Sequence, residues 1–179
     1  MKKFEFSIIA SGLDPEADDF EQRFYDAGCD DATISFQKGR IIVDFARKAE
    51  SISAAISSAV ADVKAAGATI DRVEPDPLVS LSDIAARTGL SRAAVTQYAK
   101  GQRRDNFPSP VARVTSDSPL WQWSEITRWL FKHEKIARDV AIDAEAVRIA
   151  NAEIQCRKIG LEKALRDQIA RYEDELKAS

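Results

Sequence analysis

The first 76 residues of the chain combine two patterns of apolar and polar positions. Strict alternation is typical of strands with one buried face, and apolar residues three or four apart are typical of amphipathic helices. Phe4, Phe6 and Ile8 alternate with polar residues, so we expect them to share the buried face of a first strand. The alternation predicts strands at residues 4–10, 32–37, 40–45 and 68–73.

Two helices are predicted between these strands. Asp14 and Pro15 provide a cap and a first helical position, and the apolar stripe of the first helix is expected to contain Phe20, Phe24 and Tyr25. A second helix is predicted at 50–66, with four apolar residues in helical register. These are Ile52, Ile56, Val60 and Val63. The order β-α-β-β-α-β is that of a ferredoxin-like domain, in which an antiparallel sheet carries two helices on one face.

The last third of the chain is predicted to be helical. There is no proline beyond His133, and Gly160 is the only glycine there. Positions that alternate in steps of four and three form a coiled-coil seam: Val140, Ala144, Val147, Asn151, Ile154, Lys158, Leu161 and Leu165. Ile142, Ile149, Cys156 and Ile159 form a flanking stripe. A polar residue in such a seam can set the register of a dimer, so the helix is predicted to join two copies. The alternative is an amphipathic helix that folds back onto its own chain.

The sequence therefore predicts an α+β protein of three segments, which differ in charge. A ferredoxin-like domain is expected at 1–76, and the linker at 74–77 contains two prolines. This segment has 9 basic and 15 acidic residues, a net charge of −6. The segment 77–132 has 8 basic and 4 acidic residues, a net +4, and the segment 133–179 has 9 and 10. A positive middle segment between negative neighbours is suited to binding phosphates.

Residues 81–100 have the pattern of two short helices joined by a tight turn. Ser82 and Ser91 are expected to cap the first and the second helix. Gly89 lies where the turn needs a left-handed backbone. The apolar residues predicted to hold the helices together are Ile84, Ala85, Leu90, Val95 and Tyr98. This pattern predicts a helix-turn-helix, and a purely structural helical hairpin is the alternative.

The outer face of the second helix, residues 91–100, is predicted to read DNA. Arginine pairs with guanine, glutamine with adenine, and the threonine methyl group contacts thymine. Arg92, Thr96 and Gln97 are therefore the predicted contacts to base edges, with Ser91 and Ala93 beside them. The predicted phosphate contacts are Arg87, Lys100, Arg103, Arg104 and Arg113.

Residues 101–132 extend this pattern. Strands at 111–114 and 120–123 are predicted to form a two-stranded wing, and Ser124 is expected to cap a closing helix. Three indoles are predicted to form the core of this segment, in preference to a base-stacking platform: Trp121, Trp123 and Trp129. The helix-turn-helix, the Phe107-Pro108-Ser109-Pro110 element and the tryptophan-rich closing helix resemble the winged helix-turn-helix domains of MerR, excisionase and AlpA-like prophage regulators.

The resemblance covers residues 78–132. It implies a recognition helix in the major groove and a basic wing near the backbone or the minor groove. Two departures limit what it implies, because a whole domain precedes the segment and no cluster of metal-binding cysteines follows it. The effector chemistry of MerR-type sensors is therefore not expected here.

The sequence thus predicts a bacterial or phage-type transcriptional regulator, acting as a cytoplasmic homodimeric repressor on double-stranded DNA. The first alternative is an antitoxin-like protein whose acidic N-terminal domain binds a basic partner while the winged domain autoregulates its operon. A ligand-responsive regulator and an accessory protein of DNA packaging or recombination are further alternatives.

Enzymatic activity, a metal site and a cofactor are not expected. A single histidine, His133, argues against a Ser-His-Asp triad and a His-rich metal site, and there is no Gly-rich phosphate loop. The acidic residues show no ordered ligand spacing. Cys29 and Cys156 are predicted to be reduced thiols with packing roles. No apolar run approaches the roughly 20 residues of a membrane span, and no secretory signal is expected.

Overall fold

The computed structural model describes residues 1–156 and 160–178 of this mixed α+β protein. The chain separates into two compact units, one of Met1–Pro75 with Ala146–Ala178 and one of Asp76–Glu145. The predicted boundary after residue 76 lies next to the structural one. The predicted third segment, 133–179, is divided between the two units. No helix in the described part is both long and apolar enough to cross a membrane.

A four-stranded antiparallel sheet forms the centre of the first unit. Its strands are β1 (Lys2–Ser11), β2 (Ala32–Gln37), β3 (Arg40–Ala49) and β4 (Thr69–Glu74), in the spatial order β2-β3-β1-β4. All four predicted strands are present, and β1 and β3 are longer than expected. Phe4, Phe6 and Ile8 are buried, as the alternation predicts.

The first helix, α1 (Phe20–Asp26), begins later than predicted. The carboxylate of Asp14 accepts a hydrogen bond from the backbone N–H of Glu16 at 3.0 Å, which closes a turn and does not start a helix. The expected position of Tyr25 in the apolar stripe is also wrong, because its side chain is 64% exposed. Neighbouring residues on a helix point about 100° apart, so Phe24 is buried while Tyr25 faces outward.

The second helix, α2 (Ile52–Ala65), agrees closely with the prediction. The hydroxyl of Ser51 accepts a hydrogen bond from the backbone N–H of Ala54 and so caps the helix. All four predicted apolar residues are buried. This face of α2 supplies much of the core that covers the sheet.

The single long C-terminal helix is not observed. The chain forms α6 (Arg138–Cys156) and α7 (Leu161–Lys177), and Gly160 between them has an extended backbone. Helix α6 starts only at Arg138, because Glu134 adopts a positive φ of 55° and interrupts the chain after α5 (Trp123–Lys132). A coiled-coil seam cannot run continuously through an extended residue.

The predicted seam residues are largely buried within one chain. Val147, Asn151 and Leu165 are all buried, and α7 packs against α2. The carboxamide of Asn151 accepts from the backbone N–H of Val73 at 2.7 Å and donates to its carbonyl at 2.9 Å. Asn151 therefore has a partner inside its own unit, and the fold-back alternative describes this region. Lys158, Ile159 and the side chain of Cys156 lie outside the described residues.

The second unit is built around an aromatic core. Its elements are β5 (Leu78–Val79), α3 (Leu81–Thr88), α4 (Arg92–Ala99), β6 (Trp121–Gln122), α5 and the first part of α6. Trp121, Trp123 and Trp129 are each at most 6% exposed, so the predicted core role of the indoles is confirmed. Tyr98 and Phe107 pack against Trp129 with ring centroids 5.1 and 5.0 Å from it.

Candidate nucleic-acid interface

Helix α3 begins at Leu81, two residues before the start that a cap at Ser82 would give. Ser80 caps the helix, whereas Ser82 lies in its first turn. The Ser80 hydroxyl accepts from the Asp83 N–H at 3.2 Å, and the Asp83 carboxylate accepts from the Ser80 N–H at 2.8 Å. The Ser80 hydroxyl also donates to the Asp83 carboxylate at 2.7 Å. The two hydrogen bonds that this carboxylate accepts from Ser80 hold the pKa of Asp83 below its usual value, with a smaller contribution from Arg87 and Arg92. The capping box anchors the start of the helix pair.

The turn between α3 and α4 has the predicted geometry. Gly89 adopts a left-handed conformation, with φ of 70°. Ser91 then caps α4 by accepting a hydrogen bond from the Ala94 N–H at 3.1 Å. Ile84 on α3 and Val95 on α4 are completely buried. The two helices are therefore held in one arrangement by a turn, a cap and a shared core.

Helix α4 has one buried and one outward face. Val95 and Tyr98 point into the aromatic core. The predicted DNA-contacting residues at this helix are exposed, with one exception: Ser91, Arg92, Ala93, Gln97 and Lys100. The exception is Thr96, which is half-buried. The hydroxyl of Thr96 donates to the carbonyl of Arg92 at 2.8 Å, so the methyl group of Thr96 remains for contact with a ligand.

Two of the predicted arginines have partners within their own unit. The guanidinium of Arg87 donates to the backbone carbonyl of Asp76 at 2.9 Å and lies 5.2 Å above the ring of Trp123. The guanidinium of Arg92 donates to the hydroxyl of Ser82. Arg92 would have to leave this hydroxyl to contact a base. The contacts of Arg87 attach α3 to Asp76 and to Trp123 of α5, and they occupy its guanidinium.

The loop after α4 presents further basic side chains. Arg103 is exposed, and its guanidinium lies 5.8 Å from the centroid of the Tyr98 ring. Arg104 lines an open cleft of about 600 Å³ together with Arg128 and Lys132 of α5. Sequence reasoning missed Arg128 and Lys132. The signal that could have found them is their spacing of four residues, which places both on one exposed side of α5.

The predicted wing is smaller than a two-stranded ribbon. Only Ala112 and Leu120 form a β-bridge there, in which the Leu120 N–H donates to the Ala112 carbonyl at 2.9 Å. Strand β6 pairs instead with β5, in the register Leu78↔Gln122 and Val79↔Trp121. Because Trp121 and Gln122 pair with β5, only Leu120 of the predicted strand 120–123 forms a bridge to the predicted strand 111–114. Arg113 follows the bridge with a positive φ of 51° and is exposed.

The expected cap of the closing helix is also corrected. Helix α5 begins at Trp123, with Gln122 in the capping position, and Ser124 is buried in the first turn. The N–H of Trp123 donates to the carbonyl of Pro77 at 2.7 Å, so strand pairing sets the start of the helix. At the other end, Nδ1 of His133 lies 2.8 Å from the carbonyl of Trp129. His133 is thus a hydrogen-bonding partner at the end of the helix.

The remaining titratable groups are candidate ligands of a metal ion and candidate nucleophiles. Among the residues that the structure describes, no group of three or more His, Cys, Asp and Glu side chains is placed to hold a metal ion. Cys29 is buried and free, as predicted for a packing thiol. Burial raises the pKa of its thiol to about 11, with a contribution from the charge of Asp62. The thiol is therefore protonated at neutral pH and is a poor nucleophile.

The net charge of the second unit is less positive than that of the segment 77–132 alone. Residues 76–145 contain 10 basic and 9 acidic residues, a net +1, because four acidic residues follow Lys132. Positive charge is therefore a property of α4 and the loop after it, and the unit as a whole is nearly neutral.

The function of the chain must be inferred from its own residues. Comparisons with protein-family models, with curated protein sequences and with solved structures found no match to this chain.

Proposed function

We propose that the chain is a sequence-specific DNA-binding transcriptional regulator of bacterial or phage type, whose helix α4 enters the major groove. The observation that carries the proposal is the division of α4 into two faces. Val95 and Tyr98 are buried, while Arg92, Gln97 and Lys100 are exposed on the other side. These exposed residue types are those that pair with guanine and adenine edges and with phosphates.

The local geometry supports this role for α4. Ser91 caps its N-terminus, and a helix N-terminus with free backbone N–H groups favours a phosphate nearby. The aromatic core and the Ser80–Asp83 capping box hold the helix in place without using its outer face. A preorganised helix loses little conformational entropy when it binds, which favours affinity.

Two finer assignments of fold belong to the same proposal. The ferredoxin-like assignment of the first unit is supported by the order of its elements and by the strand order β2-β3-β1-β4. The winged helix assignment of the second unit is supported by the α3–α4 pair, the β5–β6 pair and the bridge between Ala112 and Leu120. In this assignment residues 113–119 lie near the DNA backbone or minor groove, where Arg113 contacts a phosphate.

We also propose that two copies bind a palindromic or direct-repeat site in the cytoplasm. The predicted seam does not supply the surface for this pairing, because Val147, Asn151 and Leu165 are buried within one chain. Sedimentation of the chain with and without a DNA site measures how many copies bind.

The test uses duplexes selected by the full chain from a randomised pool. Fluorescence anisotropy then compares a selected duplex with a scrambled one. We expect Gln97→Ala to lose roughly 1–3 kcal/mol of binding free energy on the selected duplex and little on the scrambled one. Lys100→Ala should weaken binding to both duplexes and reduce the slope of log affinity against log salt by about 1.

Lys48→Ala is the matched control for Lys100→Ala. Lys48 is an exposed lysine of β3 in the first unit, and its removal changes the net charge equally. The control is expected to bind like the unaltered chain. The proposal is wrong if the unaltered chain binds neither duplex at low salt, or if Gln97→Ala leaves the preference for the selected duplex unchanged.

A further inference from the structure

The two edges of the four-stranded sheet differ in whether their outward backbone groups have hydrogen-bond partners. Strands β2 and β4 are its outer members. The edge of β4 is covered at Val73, whose N–H and carbonyl both bond to the Asn151 side chain. No described strand pairs with the outer side of β2. An uncovered edge is a template for another strand, and proteins usually protect such edges.

The register shows which groups of β2 face outward. The Asp31 carbonyl accepts a hydrogen bond from the Ala46 N–H, so odd-numbered residues of this segment direct their backbone groups toward β3. Ile34 and Phe36 therefore direct their N–H and carbonyl groups away from the sheet. These two residues offer four hydrogen-bonding groups along one open edge.

The side chains next to this edge are apolar. Ile34 and Phe36 lie opposite Val43 and Ile41, both buried, so all four side chains share the face that carries the core. Phe36 is nevertheless 45% exposed, since no strand that the structure describes lies beyond β2 on this side. The core face of the sheet thus continues to an uncovered edge.

A cavity of about 440 Å³ opens beside the same strand. It is lined by Ile34 and Ala32 of β2 and by Tyr25 of α1, and its charged lining residues are Glu21 and Asp30. Tyr25 is the exposed residue that the sequence pattern misplaced in the core. Together the edge, the cavity and the two exposed aromatic rings form one surface, which we call the β2 surface: Glu21, Tyr25, Asp30, Ala32, Ile34 and Phe36.

The net charge of residues 1–75 favours one kind of partner for the β2 surface. Residues 1–75 contain 9 basic and 14 acidic residues, so two copies of this region repel each other while a basic segment is attracted. Glu21 and Asp30 place two carboxylates at the cavity, whereas Lys38 lies at the far, hairpin end of the strand. The basic residues of a partner are therefore expected at the cavity end.

We propose that the β2 surface binds an extended, lysine- or arginine-rich segment of another protein, which adds a fifth strand to the sheet at β2. Backbone groups of Ile34 and Phe36 pair with the segment, an apolar side chain of the segment enters the cavity, and its basic side chains face Glu21 and Asp30. This mode of binding takes affinity from main-chain hydrogen bonds and specificity from alternate side chains. The proposal is independent of DNA binding by the second unit.

The experiment measures binding of the full chain to a fluorescent ten-residue peptide in which valine and threonine alternate over six residues and four lysines follow. The same peptide with four glutamates in place of the lysines is the control ligand. Phe36→Pro removes an outward N–H and an exposed ring while leaving the bonds to β3, because proline is tolerated where the N–H faces solvent. We expect this variant to weaken binding of the basic peptide about tenfold.

A pair of charge variants separates a local effect from net charge. Glu21→Gln with Asp30→Asn removes both cavity carboxylates, and Glu16→Gln with Asp18→Asn removes the same charge from exposed positions that do not line the cavity. The first pair is expected to weaken binding several-fold, and the second is expected to have little effect. Circular dichroism confirms that each variant is folded.

Four results would overturn the proposal. The first is equal binding of the acidic and basic peptides, and the second is an equal loss in both charge pairs. The third is unchanged binding in folded Phe36→Pro. The fourth is a dimer of the unaltered chain that Phe36→Pro converts to a monomer in light scattering, which would assign the edge to a second copy. The DNA-binding tests do not use this surface, so either proposal can fail alone.

Discussion

The two compact units differ in the kind of polar side chain that they bury. The first unit buries large polar side chains, since Arg47 is 7% and Asn151 8% exposed. The second unit packs its interior with indole, phenol and aliphatic groups, together with the small hydroxyls of Ser124 and Thr127. Among the described residues, Arg47 is the only charged residue that is buried, and it belongs to the first unit.

Arg47 holds together parts of the first unit that are distant in sequence. Its guanidinium donates two hydrogen bonds to Asp31 at 2.9 Å, one to Asp62 at 2.7 Å, and one to the carbonyl of Gly28 at 2.9 Å. It also lies 4.6 Å from the centroid of the Phe45 ring. One arginine of β3 thus joins the segment after α1 to helix α2.

The second unit places most of its polar side chains at its surface. Its core consists of groups that need few polar partners, apart from bonds such as that of the Trp121 indole N–H to the Pro108 carbonyl at 2.9 Å. Gln97, Lys100 and Arg104 are exposed and lie outside this core. In the first unit a buried arginine joins distant segments, whereas Lys100 and Arg104 of the second unit are exposed.

The largest expected effect is the loss of Arg47. Arg47→Met keeps an apolar side chain but leaves the carboxylates of Asp31 and Asp62 without their buried partner. We expect the free energy of unfolding to fall by about 3 kcal/mol, at the lower end for a broken buried ion pair because both carboxylates are partly exposed. Urea unfolding measures it.

Arg23→Met is the matched control. Arg23 forms an exposed ion pair with Asp19 on the same unit at 2.8 Å, and such pairs contribute less than about 1 kcal/mol. If both variants lose equal stability, the contrast between buried and exposed arginines is incorrect.

The second effect concerns the covered edge of the sheet. Asn151→Ala leaves the N–H and carbonyl of Val73 buried without their hydrogen bonds, and we expect a loss of roughly 2 kcal/mol. Hydrogen exchange at the Val73 amide should also become faster. Gln155→Ala, an exposed carboxamide one turn later on α6, should change neither quantity. Unchanged exchange in Asn151→Ala would show that the edge has another cover.

The smallest effect lies in the second unit, where polar groups act at the surface. Ser80→Ala removes the cap of α3 and should cost about 1 kcal/mol at pH 7. The hydrogen bonds from Ser80 lower the pKa of Asp83, so their stabilisation is present above the ordinary pKa of aspartate and is lost as the pH falls through the lowered value. The difference between Ser80→Ala and the unaltered chain should therefore shrink in acid.

Thermal unfolding from pH 7 to pH 2 tests this expectation. Ser109→Ala, in the exposed loop, is the control and should match the unaltered chain at every pH. A difference for Ser80→Ala that grows as the pH falls would contradict the role assigned to Asp83.

Local signals explain most of what could be predicted. Alternation located the four strands, and the spacing of Ile52, Ile56 and Val60 located α2. Gly89 and Ser91 identified the turn and the second helix of the helix-turn-helix, because a left-handed residue and a cap are local requirements. The predicted outer face of α4 followed from the same helical geometry.

Errors arose where two local signals competed. Asp14 and Pro15 are as well suited to a turn as to a helix start, and the chain uses them in a turn. Ser80 and Ser82 are both good caps, and the helix starts after the one whose partner three residues later is Asp83. Steps of four and three fit a coiled coil as well as a helix packed inside its own unit.

The amino-acid sequence by itself determined the four strands of the large sheet, helix α2 and the exposed residues of α4, since these depend on neighbours a few positions away. The tertiary structure alone decided which groups became partners across the chain. Arg47 bonds to Asp31 and Asp62, Asn151 covers the edge of β4, and β6 pairs with β5. Such contacts depend on how distant segments meet, and no local periodicity records which segment will lie opposite a given side chain.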